Sequence, residues 1–333
     1  MSISGALSNA LTGLNAASRG AEVIASNLAN LTNENYGRRE LNVMSQMIGS
    51  SGGVKVTGIS RSIDANLLSD KRFAASDFGH ANTKTQYQTR LDSLFGTPSD
   101  GWSLSGRVDA FESSLVSAAS VPQSAQRLET GIQRASDLAQ TFNDLSKGTQ
   151  QQRIVADAEI STTVDQLNIS LKQVQSLNYQ ISAALNHGND PSSYMDQRQA
   201  AIDRISEIVP VHVVPRDRGA VAMFTPGGAI LLDGRSAELG FTKSNVIVPH
   251  MTQDNGLLSG LTINGLDVKT GGAHSAIGGG KLGALFEIRD ETTVDTQLQL
   301  DSVARDLIER FQDSSIDTTR APGDPGKTIC GCW

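Results

Sequence analysis

The stretch LSNALTGLNAASRGAEVIASNLANL, residues 7–31, repeats apolar side chains at alternating spacings of three and four. Its two apolar series are Leu7, Leu14, Ala21 and Leu28, and Ala10, Ala17, Ile24 and Leu31. This repeat is typical of the seam of a coiled coil and predicts an N-terminal helix with one apolar face. Such a helix is marginal in water alone, and burial of its Leu and Ile seam side chains would contribute on the order of 10 kcal/mol. We therefore interpret the eight residues as an assembly seam.

A second interpretation of the same periodicity stays open. An ordinary amphipathic helix that packs on the core of its own chain shows the same spacing of apolar residues. No later helical segment of the sequence stands opposite the seam, so the spacing alone does not identify what covers it.

The segment SNLANLTNENYGRRE, residues 26–40, predicts how the N-terminal helix ends. Asparagine has a middling-to-poor helix propensity, and its side chain can bond backbone groups where a helix turns into an extended segment. The predicted helix-end turn motif consists of Asn27, Asn30, Asn35, Tyr36 and Arg38. An ordinary surface loop would also contain asparagine, so the prediction depends on the whole pattern.

Composition excludes several classes of function. The chain has 333 residues and a formal net charge of −7, without a cluster of Lys and Arg, so no nucleic-acid partner is expected. No apolar run approaches the roughly 20 residues of a membrane-spanning helix, so no membrane insertion is expected. The N-terminus lacks a basic region followed by an apolar one, which predicts no cleaved signal peptide. Cys330 and Cys332 lie in the last four residues, so the predicted folded body contains no cysteine.

The helical periodicity predicts a mainly α fold with a β-rich insertion, elongated and divided into several domains. The predicted segments are an N-terminal axial-core helix (1–40), an extended connector (41–63), a helical bundle (64–210), an inserted β-rich domain (211–280), a helix returning to the bundle (281–313) and an irregular tail (314–333). Pro122 interrupts the bundle, and Gly188 is a predicted C-cap residue. Asn178 is the one polar residue in a second apolar seam, where such a residue usually fixes register.

No arrangement of residues predicts catalysis or a cofactor. The five histidines, including His274, lack metal-ligand spacing, and no nucleophile elbow is present. Two segments, HSAIGGGKLG and APGDPGKT, resemble phosphate-binding loops, but each departs from the motif or its structural context. Asp196 and Arg198 are interpreted as a structural ion pair or cap. We therefore expect a protein that assembles and is not an enzyme.

Three parts of the sequence resemble one family. Leu11–Ala16 followed by SNLAN (26–30) is similar to the N-terminal signature of flagellar rod, hook and hook-associated proteins, in which an N-[IL]-A-N run precedes T-P-G-Y-x-R. Tyr36 and Arg38 match that motif. Asn35 stands where the family has Gly, and Asn is the residue other than Gly that best tolerates positive φ. Residues 53–72, 167–211 and 283–311 further resemble the family of flagellar hook-associated protein 1, the hook–filament junction proteins, and the resemblance covers roughly residues 1–313.

The resemblance implies a structural component of the bacterial flagellum that joins hook to filament as a ring of subunits. It implies as partners the hook protein, a second junction protein on the filament side, other copies of the chain and the flagellar type III export apparatus. The expected location is extracellular, in the flagellum. In that family the N-terminal helix pairs with a C-terminal helix of the same chain. We expect that helix to be missing here, because KTICGCW resembles a truncated or frameshifted end.

Two other functions remain possible from the sequence. The first is a secreted helical binding module or effector that shares the flagellar export signal. The second is an enzyme whose site lies in the β-rich insertion, although no acid pair stands out there. The first would be recovered as free protein, and the second requires a cleft with convergent polar groups.

Overall fold

In this computed structural model the described residues are 3–48, 51–253, 255–271 and 275–312. The predicted tail at 314–333, both cysteines and His274 lie outside them. The fold is mainly α with a β-rich insertion, as predicted. The helices are α1 (Ile3–Ala29), α2 (Ala65–Phe95), α3 (Leu104–Ser120), α4 (Ala125–Asn186), α5 (Ser192–Ile208), α6 (Gly280–Glu287) and α7 (Thr293–Gln312). The strands are β1 (Arg38–Ile48), β2 (Ser51–Ser62), β3 (His212–Pro215), β4 (Val221–Phe224), β5 (Ile230–Asp233), β6 (Arg235–Ser236), β7 (Leu239–Gly240), β8 (Leu261–Ile263) and β9 (Leu266–Val268).

Helix α1 is shorter than its apolar repeat. The seam runs to Leu31 in the sequence, but α1 ends at Ala29, and Leu31 lies in the turn that follows. The amide of Leu31 bonds to the carbonyl of Leu28 at 3.3 Å, and this bond spans three residues, so it closes a tighter turn than the four-residue span of an α-helix. The asparagines after residue 26 end the helix because their side chains compete for backbone groups.

The predicted connector is a long antiparallel hairpin. Strands β1 and β2 pair from Arg38 opposite Ser62 toward the tip of the hairpin. The register shifts between Asn42 and Val43, where β2 contains one extra residue beside Gly58. Gly58 has a φ of 151°, which side-chain-bearing residues rarely adopt, so this bulge depends on glycine.

The β-rich insertion consists of two small antiparallel sheets. One sheet has the strand order β3-β4-β5-β6, and the other has the order β7-β8-β9. Within the predicted range of 211–280, the described residues between Gly240 and Leu261 contain no strand.

The chain divides into two compact units. The first contains the described residues up to His80, Thr163–Gly240 and Leu261–Leu282. The second contains Ala81–Thr162, Phe241–Gly260 and the described residues from Gly283 onward. Helices α2 and α4 each contribute residues to both units.

The first unit includes the C-terminal end of α4, which stops as predicted at Gly188. Gly188 has a φ of 69°, and the amide of Asn189 bonds to the carbonyl of Ala184 at 2.8 Å. This bond satisfies a carbonyl that the last helical turn leaves open. The apolar residues of the second seam lie before this end on α4. Within this unit Leu185 is exposed, and the buried ones are Val164, Leu167, Leu171, Val174 and Ile181.

An apolar cluster in the second unit joins α3, α4 and α7. Its buried members are Phe111, Leu138, Phe142, Leu145 and Leu300. Ala304, Leu307 and Phe311 of α7 pack against this cluster, and their helical spacing puts them on one face. Helix α7 therefore packs on earlier helices of its own chain.

The same unit contains buried ionic groups. Arg289 Nη1 lies 2.7 Å from Asp157 Oδ1, and both side chains are fully buried. Arg289 also lies against the rings of Phe241 and Phe286, at 5.5 and 5.1 Å from the centroids. Arg153 donates to the carbonyls of Val248 and Met251, at 3.3 and 2.7 Å. These contacts hold the strand-free segment between Gly240 and Leu261 against α4. The buried charges of Asp157, Arg289 and Arg153 each have a partner, which offsets the cost of removing them from water.

A π-helical turn, Ile288–Thr292, separates α6 from α7. The hydroxyl of Thr293 bonds to the carbonyls of Ile288 and Arg289, at 2.7 and 3.1 Å. Arg153 Nε also donates to the Arg289 carbonyl, at 3.0 Å. These bonds satisfy the Ile288 and Arg289 carbonyl groups, which lack an α-helical partner because the turn is wider there.

Candidate assembly surface

Helix α1 contacts its own hairpin through small and polar side chains. The residues on this face are at least partly buried and include Asn9, Thr12, Gly13, Ala16, Gly20 and Val23. Val23 is 7% exposed, and the hydroxyl of Thr12 accepts a bond from the Val54 amide at 3.3 Å. Small side chains let the helix approach the strands closely, and Thr12 bonds to β2.

All eight seam residues lie on exposed positions of α1 and the turn after it. The exposed fractions of Leu7, Leu14 and Leu28 are 62%, 67% and 71%. The other seam residues, Ala10, Ala17, Ala21, Ile24 and Leu31, are also exposed. Within the described part of the chain, the seam therefore does not pack on the protein's own core, and a different set of residues holds α1 in place.

Asn27 is the centre of the turn after α1. Its amide nitrogen donates to the Arg39 carbonyl at 2.9 Å, and its oxygen accepts the Arg39 amide at 3.0 Å. The same oxygen accepts the hydroxyl of Tyr36 at 2.9 Å. The side chain thus joins the last turn of α1 to the first residues of β1.

The other asparagines bond locally. The Asn30 side chain donates to the Ser26 carbonyl at 3.0 Å, and the Asn33 oxygen accepts the Asn35 amide at 3.2 Å. Asn35 does not use its tolerance of positive φ, because Arg218 and Asn264 are the residues other than Gly with positive φ in the described chain. Two consecutive turns, closed by bonds from Asn33 to Asn30 and from Tyr36 to Asn33, redirect the chain without that conformation.

Arg39, next to the predicted Arg38, makes the long-range contact. The Arg38 side chain is exposed and pairs with Glu40 at 3.1 Å. The guanidinium of Arg39 lies over the Tyr36 ring, 4.9 Å from its centroid, and reaches Asp196 at 3.3 Å. The turn motif therefore has Arg39 on its inner side and Arg38 on its outer side.

Asp196 of α5 links the turn to both strands of the hairpin. Its Oδ1 accepts the Gly37 amide at 3.0 Å and Arg61 Nε at 2.7 Å. A Cβ atom at position 37 would lie 2.1 Å from Arg61 Nε, so any other residue there would displace the Arg61 side chain. Asp196 was missing from the predicted motif, because a contact across 159 residues leaves no trace in local spacing.

Asp196 forms structural ion pairs, with Arg39 and Arg61, and Arg198 is not one of its partners. Arg198 donates to Asn178 Oδ1 at 2.8 Å and to the Gly219 carbonyl at 2.6 Å. The two side chains lie two positions apart on a helix, where side chains do not face each other.

Side-chain amides of α4 position the β-rich insertion. Asn178 bonds to the amide and carbonyl of Val221 at 3.2 and 2.9 Å, and Asn168 bonds in the same way to Leu239 at 2.9 and 2.8 Å. Gln175 accepts the Ser236 amide at 2.7 Å. The polar residue in the α4 seam therefore binds the backbone of a strand.

The described residues contain no group of three or more His, Cys, Asp or Glu that could hold a metal ion. Across the same residues, no helix is long and apolar enough to cross a membrane. Helix α1 and its turn thus have an exposed apolar face on the side opposite the hairpin.

Comparisons with known proteins agree with the resemblance in the sequence. A family model described as the flagellar hook-associated protein FlgK helical domain matches residues 88–329. Flagellar hook-associated protein 1 of Salmonella typhimurium (strain LT2) and that of Escherichia coli (strain K12) are each 26% identical over 340 residues, which cover 98% of this chain and 59% of each relative. The protein of the same name from Bacillus subtilis (strain 168) is 23% identical over 351 residues, with 96% and 68% covered.

A solved structure matches as well. The flagellar hook junction protein FlgK from Burkholderia pseudomallei aligns with a TM-score of 0.59 and 22% identity, over 74% of this chain and 43% of that one. This is a likeness of fold. The chain spans 59% of the length of its Salmonella and Escherichia relatives. The family match extends to residue 329, beyond residue 313, where the resemblance in the sequence was expected to end. From the match over residues 88–329, the chain belongs to the family of the flagellar hook-associated protein FlgK helical domain.

Proposed function

We propose that the chain is a structural component of the bacterial flagellum that joins hook to filament as a ring of junction subunits. The family to which it belongs is one of structural proteins and not of enzymes. The observation that carries the proposal is the outward apolar face of α1, because its eight seam residues are exposed while the opposite face lies on the hairpin.

The energetics of this face support association. Burying a Leu or Ile side chain contributes about 1.5–3 kcal/mol. The 27 residues of α1 extend about 40 Å at 1.5 Å per residue, which is long enough for several turns to contact a partner helix. Apolar side chains at a 3-4 spacing fit between those of another helix, so the proposed partner surface is helical.

The proposed partners are the hook protein, a second junction protein on the filament side, further copies of this chain and the type III export apparatus. The names of the relatives, hook-associated protein and hook junction protein, support the first two. The proposed location is the extracellular flagellum, reached without a cleaved signal peptide. In this proposal residues 1–40 form the axial core, and the segments 41–63, 64–210, 211–280 and 281–313 form the connector, bundle, insertion and returning helix.

Aspartate substitutions in the seam test the proposal. Leu14→Asp and Leu28→Asp place a charge on the apolar face, and Asn15→Asp places the same charge on a neighbouring exposed position. Each variant is expressed in the source bacterium, and the amount in sheared hook-and-filament preparations is measured by quantitative immunoblotting. We expect the Leu variants to be lost from the fibre and Asn15→Asp to be retained. Circular dichroism of the purified proteins should be the same for all three.

Incorporation of either Leu variant at the wild-type level would refute the role of the seam. Recovery of the wild-type chain only as free secreted protein would refute the junction role and favour a secreted binding module or effector that shares the export signal.

A further inference from the structure

The first unit contains a cavity away from the exposed face of α1. Its volume is about 320 Å³, close to the lower limit of about 300 Å³ for cavities that bind small molecules. Apolar side chains form much of its wall, among them Leu68, Met195, Ile202, Val211 and Val213. The cavity can therefore accept a small molecule with an apolar body.

The charged residues of the cavity are all of one sign. Four arginines line it, and no Asp or Glu is among the described lining residues; the four are Arg61, Arg72, Arg198 and Arg216. The whole chain has a net charge of −7, so this concentration of positive charge is contrary to its overall balance. Such a lining attracts an anion.

Three of these arginines have carboxylate partners outside the lining. Arg61 pairs with Asp196 at 2.7 Å, Arg72 with Asp203 at 2.9 Å and Arg216 with Asp233 at 2.9 Å. Arg198 has two neutral acceptors, Asn178 Oδ1 and the Gly219 carbonyl. Arg198 is therefore the cation of the cavity whose charge no described carboxylate balances.

The geometry of Arg198 leaves one side of its guanidinium available. Both of its hydrogen bonds use Nη1, so within the described residues Nε and Nη2 make none. The Nε–Nη2 edge carries two parallel N–H groups, which match the two oxygens of a carboxylate.

The pKa of Arg198 is also consistent with an anion site. Burial, and after it the positive charges of Arg61 and Arg72, together lower the pKa of Arg198 to about 10. The protonated form is thus less strongly favoured in the folded protein than in a free arginine, and a bound anion would oppose that effect.

We propose that this cavity binds a small organic carboxylate, with its carboxyl group on the Nε–Nη2 edge of Arg198 and its apolar body against the wall that contains Ile202 and Val213. The bidentate pair supplies the orientation, and the apolar wall favours an organic acid over an inorganic anion. This site is independent of the assembly seam, so it can be tested on the purified chain.

Isothermal titration calorimetry of the full 333-residue chain with benzoate tests the proposal. Inorganic phosphate and chloride at equal ionic strength are the reference ligands. We expect one benzoate per chain and weaker binding of phosphate. Arg198→Gln should weaken benzoate binding at least about tenfold, because a charge-assisted bidentate contact is lost. Arg204→Gln, on the exposed side of the same helix, should bind as the wild type does.

Two further variants keep the test decisive if Arg198→Gln does not fold. Arg198→Lys retains the charge and loses the two-donor edge, and Arg216→Gln removes a cation at the exposed rim, so both should weaken binding. Absence of benzoate binding to the wild type, equal binding to the wild type and a folded Arg198→Gln, or phosphate binding as tight as that of benzoate would each overturn the proposal.

Discussion

The side-chain amide of Asn27 and the backbone of Arg39 exchange two hydrogen bonds, of 2.9 and 3.0 Å. The amide group thus bonds to Arg39 as an adjacent backbone segment would in a sheet. These two bonds hold the end of α1 against the start of β1.

The first prediction concerns this pair. Asn27→Ala removes both bonds to Arg39 and the bond from Tyr36, and it should destabilise the junction by about 1–3 kcal/mol. Hydrogen–deuterium exchange at the Arg39 amide measures the effect. Asn33→Ala, in the exposed part of the same turn, is the control and should leave that amide protected. Unchanged protection in Asn27→Ala would show that other contacts hold the junction.

The second prediction concerns Asp196. Its partners are the Gly37 amide and the side chains of Arg39 and Arg61, so Asp196→Asn should lower the free energy of unfolding by about 2–4 kcal/mol. Urea denaturation measures the change. Asp165→Asn, an exposed position on α4, should change it by less than about 0.5 kcal/mol. Equal effects of the two substitutions would contradict the anchoring role of Asp196.

The third prediction concerns the buried pair of Asp157 and Arg289. Arg289→Met leaves the buried Asp157 without its partner and should cost about 3–5 kcal/mol in chemical denaturation. Adding Asp157→Leu should recover part of that loss, because the fully buried carboxylate is then gone, while Asp290, the other carboxylate that pairs with Arg289, is partly exposed. Arg310→Met, which removes an exposed ion pair on α7, should cost less than about 1 kcal/mol. Additive effects of the two buried substitutions would argue against direct coupling.

The fourth prediction concerns stability at alkaline pH. Burial raises the pKa of Tyr87 to about 12, from 10.0 in an exposed tyrosine. The unfolded chain therefore releases this proton at lower pH than the folded chain does, and stability is lost as the pH rises from about 10 to about 12. Tyr87→Phe should reduce this loss by at most about 2 kcal/mol in urea titrations across that range. An identical pH dependence in the variant would exclude Tyr87 as a source.

Local sequence signals predict the helices well. Periodic apolar residues and nearby breakers predict a break at Pro122 and the end of α4 before Gly188. These features depend on residues within one or two turns of each other. The face of α7 that packs on the cluster follows from the same periodicity, because the spacing of its apolar residues is helical.

Contacts between distant segments were not predictable in the same way. Asp196 binds a turn 159 residues away, and Asn178 bonds to a strand 43 residues away. Nothing in the spacing around either residue specifies its partner. Asn35 shows a related limit, because its tolerance of positive φ is a property of the residue type and the turn is closed by other bonds.

The seam illustrates what the structure adds. Its spacing is equally compatible with packing on the chain's own core and with packing on another chain. The exposure of all eight residues excludes packing on the core of the described chain. The family match identifies the flagellum as the assembly to consider.

The attachment of α1 to its hairpin also affects the thermodynamics of association. A helix that forms only on contact loses backbone conformational entropy at that moment, at about 1–2 kcal/mol per residue. In α1 the inner face, through Thr12 and Val23, already fixes the backbone before another chain arrives. The outer face is thus preorganised, so most of the free energy from burying it is available for the stability of the complex.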